Sequence, residues 1–363
     1  MIDAAQLNFC FTATNLGHDG EIEMRYRRFG RTGWQVSEIG YGMWGMGGWS
    51  GSDDQESLRS LQRAVNLGCN FFDTAWVYGN GHSEKLLEQG LRANSGKRIF
   101  VATKVPPKNQ SWPAPANSTL DENYPPEHIT EYVEKSLRNL GLESLDLIQL
   151  HTWNDSWLED ARIGPAIEKL KASGKVRAVG ISLNRWQPWN GVKAVRAGLV
   201  DSVQVVYNIF DQNPEDELFP ACREKNVAVI ARVPFDEGAL TGALTASSKW
   251  ADGDWRNSYF SGGKLQETLK RVDALKPLLP ESAKDKMANG GMTLPELALR
   301  FILSNPDVST TIPGMRKTRN VEANLAVSER GALSEYASAY LPADLLVELR
   351  KHRWERNSRN IFR

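Results

Sequence analysis

The chain has 363 residues, of which 41% are hydrophobic and 24% charged, a composition typical of globular proteins that excludes disordered, collagen-like and coiled-coil classes. Its 44 Lys and Arg residues balance 44 Asp and Glu residues, so the formal net charge is zero and neither nucleic acid nor an anionic membrane is an expected partner. Any bound anion must therefore be held by a local cluster of donors.

The N-terminal segment carries no recognisable targeting signal. Residues 1–23 are acidic and lack a basic region, so we interpret them as an extension before a single domain over residues 24–363. No apolar stretch approaches the ~20 residues that span a bilayer. The three cysteines form no CxxC pair, and the five histidines lack metal-ligand spacing, so no metal site is expected. We therefore expect a cytoplasmic protein with reduced thiols.

The first predicted element is a hairpin over residues 25–36, positioned to plug the bottom of a barrel. Eight short apolar, β-branched runs follow and predict buried strands at 38–42, 69–74, 98–104, 146–151, 176–182, 202–208, 227–233 and 308–313. Helical patterns between them lie at 52–68, 125–141, 156–174, 294–305 and 321–328. The Gly164-Pro165 pair predicts a kink or restart within the third of these helices.

The alternation of strands and helices implies a parallel sheet. Eight units over about 290 residues favour a closed (β/α)8 barrel, the TIM-barrel fold, over an open doubly wound sheet of typically six strands. The segment at 40–48 also lacks the GxGxxG spacing of a dinucleotide-binding turn. Two long loops, 105–126 and 234–264, leave the carboxyl ends of the third and seventh strands, where barrel enzymes carry their active sites.

Different strands deliver four titratable side chains to this predicted rim. Asp73 ends the second strand, and Tyr78 follows five residues later. Lys104 ends the third strand and His151 the fourth. Each alone is commonplace, but together they predict a proton-transfer site. An ammonium would lower the pKa of the phenol, a carboxylate would hold that ammonium, and a neutral imidazole would orient a carbonyl oxygen.

The chain resembles the aldo-keto reductases from about Met24 to about Leu325. The matching motifs are LGCNFFDTAWVYGNGHSEKLLEQGL (67–91), ATK (102–104), DLIQLH (146–151), KVRAVGIS (175–182) and IPGMRKTRNVEANL (312–325). The resemblance implies NADP-dependent hydride transfer to an aldehyde or ketone, or the reverse oxidation of an alcohol, with Tyr78 as general acid. The family's catalytic tetrad falls on Asp73, Tyr78, Lys104 and His151.

The resemblance also implies cofactor contacts. The nicotinamide carboxamide positions fall on Ser182 and Gln204, but Leu183 stands where the family often has Asn, so either Asn184 takes that role or the contact is lost. The ring-stacking position carries Arg232 rather than an aromatic residue; its guanidinium either stacks on the ring or forms a salt bridge across the rim. The other implied cofactor residues are Gly42, Met43, Trp44, Asp73, Pro234, Gly238 and Leu240.

The last motif predicts a preference for NADPH over NADH. Cations beside a helix N-terminus make a good phosphate site, and the resemblance assigns the 2′-phosphate and adenine to Arg316, Asn320 and Asn324. Gly314 stands where many members carry a phosphate-binding Lys, which weakens the expected selectivity. A solvated basic turn is the alternative interpretation of this segment.

Tryptophan is abundant, and several of the 12 residues follow predicted strand ends. Their flat apolar surfaces would suit aromatic, steroid-like or sugar substrates, although packing of one loop against another is an equal alternative for each. The predicted substrate-contacting residues are Trp44, Trp76, Tyr78, Trp112, His151 and Trp153. The basic tail at 346–363 borders the substrate site in the family, or is simply a solvated helix end.

The sequence therefore predicts an NADPH-dependent carbonyl reductase that acts on a small molecule. An alternative from another class is a regulatory protein that binds NADP, turns over slowly and acts through a protein partner, as the ion-channel β subunits of this family do. A metal-dependent barrel isomerase is a third class, but the sequence lacks a carboxylate-histidine ligand set.

Overall fold

A computed structural model describes residues 22–49, 51–185, 187–279, 292–333 and 345–353. Within these ranges the chain forms a two-stranded hairpin, an eight-stranded parallel sheet and surrounding helices. Most of the predicted N-terminal extension, with Cys10, and the end of the basic tail lie outside the described residues. Cys69 and Cys222 are buried free thiols.

The strands follow the predicted order. The hairpin pairs β1 (Tyr26–Phe29) antiparallel with β2 (Trp34–Ser37). The barrel strands are β3 (Tyr41–Gly42), β4 (Phe71–Asp73), β5 (Phe100–Val105), β6 (Leu145–Leu150), β7 (Val176–Ser182), β8 (Ser202–Val206), β9 (Ala228–Arg232) and β10 (Val308–Thr311). Each pairs in parallel with the next along the chain, which confirms all eight predicted strands.

Backbone contacts between the first and last of these strands close the sheet into a barrel. The amide of Gly40 donates to the carbonyl oxygen of Thr311 at 2.8 Å, and that of Gly42 donates to Pro313 at 3.0 Å. A Cβ at Gly42 would lie 2.5 Å from the carbonyl oxygen of Ile312, so this close approach requires glycine. The predicted (β/α)8 barrel is confirmed, and an open sheet is excluded.

Helices pack around the barrel between successive strands. They are α1 (Asp54–Asn66), α2 (His82–Ala93), α3 (Leu120–Asn123), α4 (Pro126–Leu140), α5 (Ile163–Ala172), α6 (Val192–Arg196), α7 (Leu218–Lys225), α8 (Arg256–Tyr259), α9 (Lys264–Leu275), α10 (Leu294–Leu303), α11 (Thr318–Arg330) and α12 (Leu345–Arg350). The five predicted helices are confirmed, four with shorter bounds and the last as part of α11. α5 restarts at Ile163 after a 3-10 turn, so Pro165 lies in a first turn, where it removes no intrahelical hydrogen bond.

The hairpin covers the amino-terminal end of the barrel. The rings of Phe29 and Trp34 stack 5.7 Å apart. Phe29 lies 5.4 Å from Phe71 at the start of β4, and Trp34 lies 5.2 Å from Phe100 at the start of β5. These rings belong to a core cluster formed with apolar residues of the barrel strands. The prediction that residues 25–36 plug the barrel is therefore confirmed.

Helices α1 and α11 pack side by side because the first and last barrel strands are neighbours. The side chain of Asp53 caps α1 by accepting the amide of Glu56 at 3.0 Å. An ion pair of 2.9 Å between Arg63 and Glu322 joins the two helices farther along. Within the described parts of the chain, no helix combines the length and apolar character needed to cross a membrane.

Candidate active site

The four predicted catalytic residues converge at the carboxyl end of the barrel, because they follow or end three neighbouring parallel strands. Lys104 Nζ, on β5, donates to Asp73 Oδ1 at 2.5 Å and to the carbonyl oxygen of Thr74 at 2.7 Å. Both charged side chains are almost completely buried. Lys104 Nζ lies 5.2 Å from the centre of the Tyr78 ring, which lies 5.8 Å from the ring of His151. The structure thus brings the set together.

Two glutamines complete the surroundings of Asp73. Gln204 Nε2, on β8, donates to Asp73 Oδ2 at 2.7 Å, and Gln149 Nε2, on β6, donates to the same oxygen at 3.1 Å. Hydrogen bonds of this kind fix the carboxylate that pairs with the lysine. The sequence analysis missed Gln149, although a glutamine between Ile148 and Leu150 in a buried strand is a signal that could have revealed it.

The carboxamide role predicted for Gln204 stays a prediction. Its amide nitrogen donates to Asp73, so the residue holds this carboxylate whatever else it contacts. Ser182, the last residue of β7, is paired in register with Gln204, which places both predicted residues on one rim.

The pKa of Tyr78 is shifted in the opposite direction from the expectation. Burial of the phenol raises its pKa above the ordinary value, and the nearby carboxylate of Asp73 acts in the same direction. The positive charges of Lys104 and Arg232 lower the pKa, as predicted for Lys104, but burial has the larger effect. Tyr78 is therefore a protonated phenol at neutral pH, which suits a proton donor.

His151 is neutral at neutral pH. Burial lowers its pKa well below the ordinary value, and the positive charges of Lys104 and Arg232 lower it further. Its Nδ1 atom is buried and has no hydrogen-bond partner among the described residues. A neutral ring with an unused nitrogen can take part in a hydrogen bond with a substrate oxygen.

Tyr78 and His151 belong to a row of aromatic rings, which we call the aromatic rim. Its members are Trp44, Trp49, Tyr78, Trp112 and His151. The centres of adjacent rings are 5.5 Å apart for Trp44 and Trp49, 6.2 Å for Trp49 and Tyr78, and 4.6 Å for Trp112 and His151. Trp44 and Trp112 are 42% and 45% exposed, so they present apolar surface to solvent beside the catalytic groups. Trp49 was missed by the sequence analysis, although it follows Trp44 by only five residues.

Two other tryptophans have ring contacts with residues outside the aromatic rim. Trp76 packs edge-on against Tyr132 of α4, with the ring centres 4.8 Å apart. Trp153 is 2% exposed and donates its indole N–H to Asp155 at 2.8 Å. The ring of Trp153 lies 5.6 Å from that of Trp157, which agrees with the packing alternative considered for every tryptophan, and its substrate contact stays a prediction.

Arg232 ends β9 on the same rim. Its guanidinium donates to the carbonyl oxygen of Leu183 at 3.0 Å, while its Nε is buried and has no hydrogen-bond partner in the described chain. The guanidinium thus bonds to backbone in the loop that follows β7, a contact that neither alternative from the sequence had foreseen. Asn184 lies half-buried in the same loop. The stacking role of Arg232 stays a prediction.

A charge cluster includes two residues of the loop that follows β9. Arg185 pairs with Asp211 and with Glu237, each at 3.0 Å, and also with Asp236. Tyr259 donates its hydroxyl to Asp236 at 3.1 Å. Sequence reasoning missed this cluster, although Asp236 and Glu237 are adjacent in the long loop at 234–264. The predicted cofactor residues of this loop are Pro234 and Leu240, which are buried, and Gly238, with φ of 100°.

The predicted cofactor residues of the first and last barrel strands also lie together. Gly42 forms a parallel bridge with Gly314, and the amide of Met43 donates to the carbonyl oxygen of Asp73 at 3.0 Å. This part of the rim therefore connects the backbone of Asp73 with the segment that leads into α11.

The N-terminus of α11 carries the predicted phosphate residues. Arg316 packs beside Gly45, where an added Cβ would lie 3.3 Å from Arg316 Cδ. Arg316 Nη1 is buried and has no hydrogen-bond partner among the described residues. Asn320 is exposed and Asn324 is buried one turn later on α11. A guanidinium with an unused donor next to a helix N-terminus is suited to bind a phosphate.

Over the described ranges, no group of three or more His, Cys, Asp or Glu side chains is arranged to hold a metal ion. The candidate site is therefore assembled from proton-transfer groups, aromatic rings and guanidinium donors.

Comparison with known proteins relates these features to a family. The sequence model for the "Aldo/keto reductase family" matches residues 38–343. Aldo-keto reductase YhdN of Bacillus subtilis (strain 168) is 29% identical, with 83% of this chain and 87% of that protein covered. The NADH-specific methylglyoxal reductase of Escherichia coli (strain K12) is 28% identical, covering 82% and 91%. Aldo-keto reductase yakc [NADP(+)] of Schizosaccharomyces pombe (strain 972 / ATCC 24843) is also 28% identical, covering 80% and 83%.

Solved structures show the same architecture. The aldo-keto reductase AKR11C1 from Bacillus halodurans, in its holo form, superposes with a TM-score of 0.66 at 25% identity, covering 93% of this chain and 100% of that one. The glycerol dehydrogenase AKR11B4 from Gluconobacter oxydans superposes with a TM-score of 0.69 at 25% identity, covering 90% and 94%.

Proposed function

Because the chain belongs to the aldo/keto reductase family of oxidoreductases, we propose that it catalyses NADP(H)-dependent reduction of small aldehydes or ketones, with Tyr78 as the proton donor. The observation that carries this proposal is the buried contact between Lys104 and Asp73 beside the rings of Tyr78 and His151. The reverse oxidation of an alcohol uses the same groups in the opposite direction.

Each side chain has a distinct part in the proposed reaction. Tyr78 holds its proton at neutral pH and gives it to the carbonyl oxygen of the substrate. Lys104 stabilises the phenolate that remains, since a nearby positive charge favours the ionised form. Asp73 keeps Lys104 in place through the 2.5 Å contact. The neutral imidazole of His151 orients the carbonyl oxygen toward the phenol.

The residues present fit a nicotinamide dinucleotide. When bound, that cofactor supplies the hydride. Two buried guanidinium nitrogens, Arg232 Nε near the catalytic groups and Arg316 Nη1 beside α11, lack partners in the described chain and can donate to a polar ligand. We propose Arg316 as the 2′-phosphate contact. The other cofactor contacts proposed are Gly42, Met43, Trp44, Ser182, Asn184, Gln204, Pro234, Gly238, Leu240, Gly314, Asn320 and Asn324.

The aromatic rim indicates the substrate class. Trp44 and Trp112 present exposed rings on either side of Tyr78 and His151, and flat apolar surfaces of this kind bind ring-bearing or apolar substrates by stacking. We therefore propose a carbonyl compound with an apolar or ring-shaped body as substrate.

The direct test is consumption of NADPH in the presence of aldehydes, ketones and keto-sugars, compared for the wild-type protein and Tyr78→Phe. The variant should lose roughly 10²- to 10⁴-fold in kcat, because it lacks the proton donor, while its NADPH affinity stays nearly unchanged. Tyr132→Phe is the matched control, since Tyr132 lies on α4 and contacts Trp76.

A Tyr78→Phe variant with wild-type kcat would contradict the assignment. Background turnover by the wild-type protein on every substrate, with tight NADPH binding, would instead favour the regulatory alternative.

A further inference from the structure

A carboxylate already occupies the N-terminus of α11. Glu56 Oε1, on α1, accepts the backbone N–H of Thr318 at 3.1 Å and lies 3.4 Å from Thr318 Oγ1. Thr318 is the first residue of α11, so its N–H is one of the four that have no partner within the helix. Glu56 therefore sits where an external anion would bind to a helix start.

Glu56 carries its negative charge at neutral pH. A hydrogen bond from Arg59 at 2.9 Å and the one from Thr318 hold the pKa of the carboxyl below its ordinary value. Its side chain is 32% exposed, so the charge acts at the surface that a ligand approaches.

A positive group lies close by in sequence. Arg316 stands two residues before Thr318, and its Nη1 is buried with no partner among the described residues. The same helix end thus combines a guanidinium that attracts a phosphate with a carboxylate that repels one. A carboxylate can also accept a hydrogen bond from a ribose hydroxyl, which a phosphate group replaces in NADPH.

We propose that Glu56 is a specificity-determining residue that opposes binding of the 2′-phosphate and favours a free 2′-hydroxyl, so that the chain accepts both NADPH and NADH. This inference rests on the proposed function, which places the adenosine end of the cofactor at α11. Two relatives that are each 28% identical to this chain are named for opposite cofactor choices, so this degree of similarity is compatible with either choice.

The test measures dissociation constants rather than turnover. Quenching of tryptophan fluorescence in the full-length protein gives Kd values for NADPH and NADH in the wild type and in Glu56→Gln, which keeps the side-chain size and removes the charge. We expect NADPH to bind roughly tenfold more tightly to the variant, as removal of one like charge at close range predicts, and NADH to bind equally or slightly more weakly.

Two further variants control for changes in packing and for the sign of the charge. Glu322→Gln removes a carboxylate from the same pair of helices, where it pairs with Arg63, and should leave the ratio of the two Kd values unchanged. Arg316→Ala should weaken NADPH by roughly tenfold to a hundredfold and leave NADH nearly unaffected, because only NADPH carries the 2′-phosphate.

The outcomes distinguish a failure of the role assigned to Glu56 from a failure of the proposed function. An unchanged ratio of Kd values in Glu56→Gln, or the same ratio change in Glu322→Gln, would overturn the role of Glu56 while leaving the reductase assignment intact. Failure of the wild-type protein to bind either dinucleotide would overturn the proposed function itself, and this inference with it.

Discussion

In the candidate site, burial affects the pKa values of single residues as much as neighbouring charges do. Tyr78 lies near two positive groups, yet removal of the phenol from water dominates and raises its pKa. His151 loses its charge for the same reason. The site is consequently set for proton donation by a phenol next to a neutral imidazole, and this state should be visible in the pH dependence of catalysis.

The reduction rate should be constant across neutral pH. Because the pKa of Tyr78 is raised above 10, the phenol keeps its proton to higher pH, so kcat/KM for reduction should fall only in the alkaline range. For oxidation of the corresponding alcohol, which requires the phenolate, kcat/KM should rise over that same range. Steady-state rates between pH 6 and pH 11 check both the fall in kcat/KM for reduction and the rise for oxidation. A decline in reduction that is complete by pH 8 would show that another group donates the proton.

Lys104→Met should lower the reduction rate and move its alkaline limit to higher pH. The lysine lowers the pKa of Tyr78, so its removal raises that pKa further and leaves the buried carboxylate of Asp73 without its ion pair. We expect a loss of at least about 10² in kcat. Lys135→Met on α4 is the matched control, since Lys135 packs over Tyr132 on that helix. An unshifted alkaline limit would mean that Lys104 does not lower the pKa of Tyr78.

The sequence could predict the tetrad because each member ends or follows a strand, and the carboxyl ends of parallel strands share one rim. The roles of Gln149 and Gln204 toward Asp73 could not be predicted in the same way. Those hydrogen bonds depend on the register of β6 and β8 and on the direction of each side chain into the barrel, which composition and spacing leave open.

At the scale of elements, the loop after β9 is held in an unfavourable backbone conformation. Val233, Asp236 and Glu237 have φ values of 56°, 43° and 57°, in the left-handed region that side chains rarely adopt. The side chain of Arg185 contacts both acidic residues of this loop. The sequence did not indicate this arrangement, because adjacent acidic residues in a loop usually lie in solvent. Their common partner, Arg185, also lies 51 positions from Asp236 in the sequence.

Glu237 should make the stability of the protein depend on pH. Burial raises its pKa to about 7, while the nearby positive charge of Arg185 lowers it and Asp236 raises it again. The folded protein therefore binds a proton that the unfolded chain, with a glutamate pKa of about 4.3, has already released. The stabilisation that this group contributes is present below about pH 4.3 and is lost as the pH rises through about 7.

The free energy of unfolding should accordingly fall more between pH 5 and pH 8 for the wild type than for Glu237→Gln. Urea unfolding at both pH values measures the difference. Glu224→Gln, at an exposed carboxylate, should behave like the wild type. Equal pH slopes for the wild type and Glu237→Gln would rule out this linkage.

At the scale of the whole molecule, the two ends of the barrel have separate tasks. The hairpin fills the amino-terminal end with aromatic rings, while the catalytic groups occupy the carboxyl end. The fold class was predictable because eight strand patterns follow one another with helical patterns between several of them, and the count of eight strands favours a barrel over an open sheet. The depth to which the hairpin rings enter the barrel was not predictable, since it depends on side-chain packing.

Phe29→Ala should destabilise the protein without affecting cofactor binding. The ring is completely buried at the closed end, so its removal leaves a cavity and should cost about 3–5 kcal/mol of unfolding free energy. Chemical denaturation measures this loss, and titration with NADPH should give an unchanged Kd. Tyr26→Ala, at a ring that is 46% exposed on the same hairpin, should have a much smaller effect on stability. A comparable loss in both variants would argue against the plug.

Closure of the barrel through Gly40 and Thr311 has a consequence for protein synthesis. His151 is the last of the four residues Asp73, Tyr78, Lys104 and His151 in the sequence, whereas the strand that closes the ring ends only at Thr311, and α11 follows it. A chain in synthesis therefore contains these four residues long before it contains the segment at which we propose that the adenosine end of a nucleotide binds. Because domains generally fold as units and a ligand stabilises only a state that binds it, we expect nucleotide to stabilise only the finished chain.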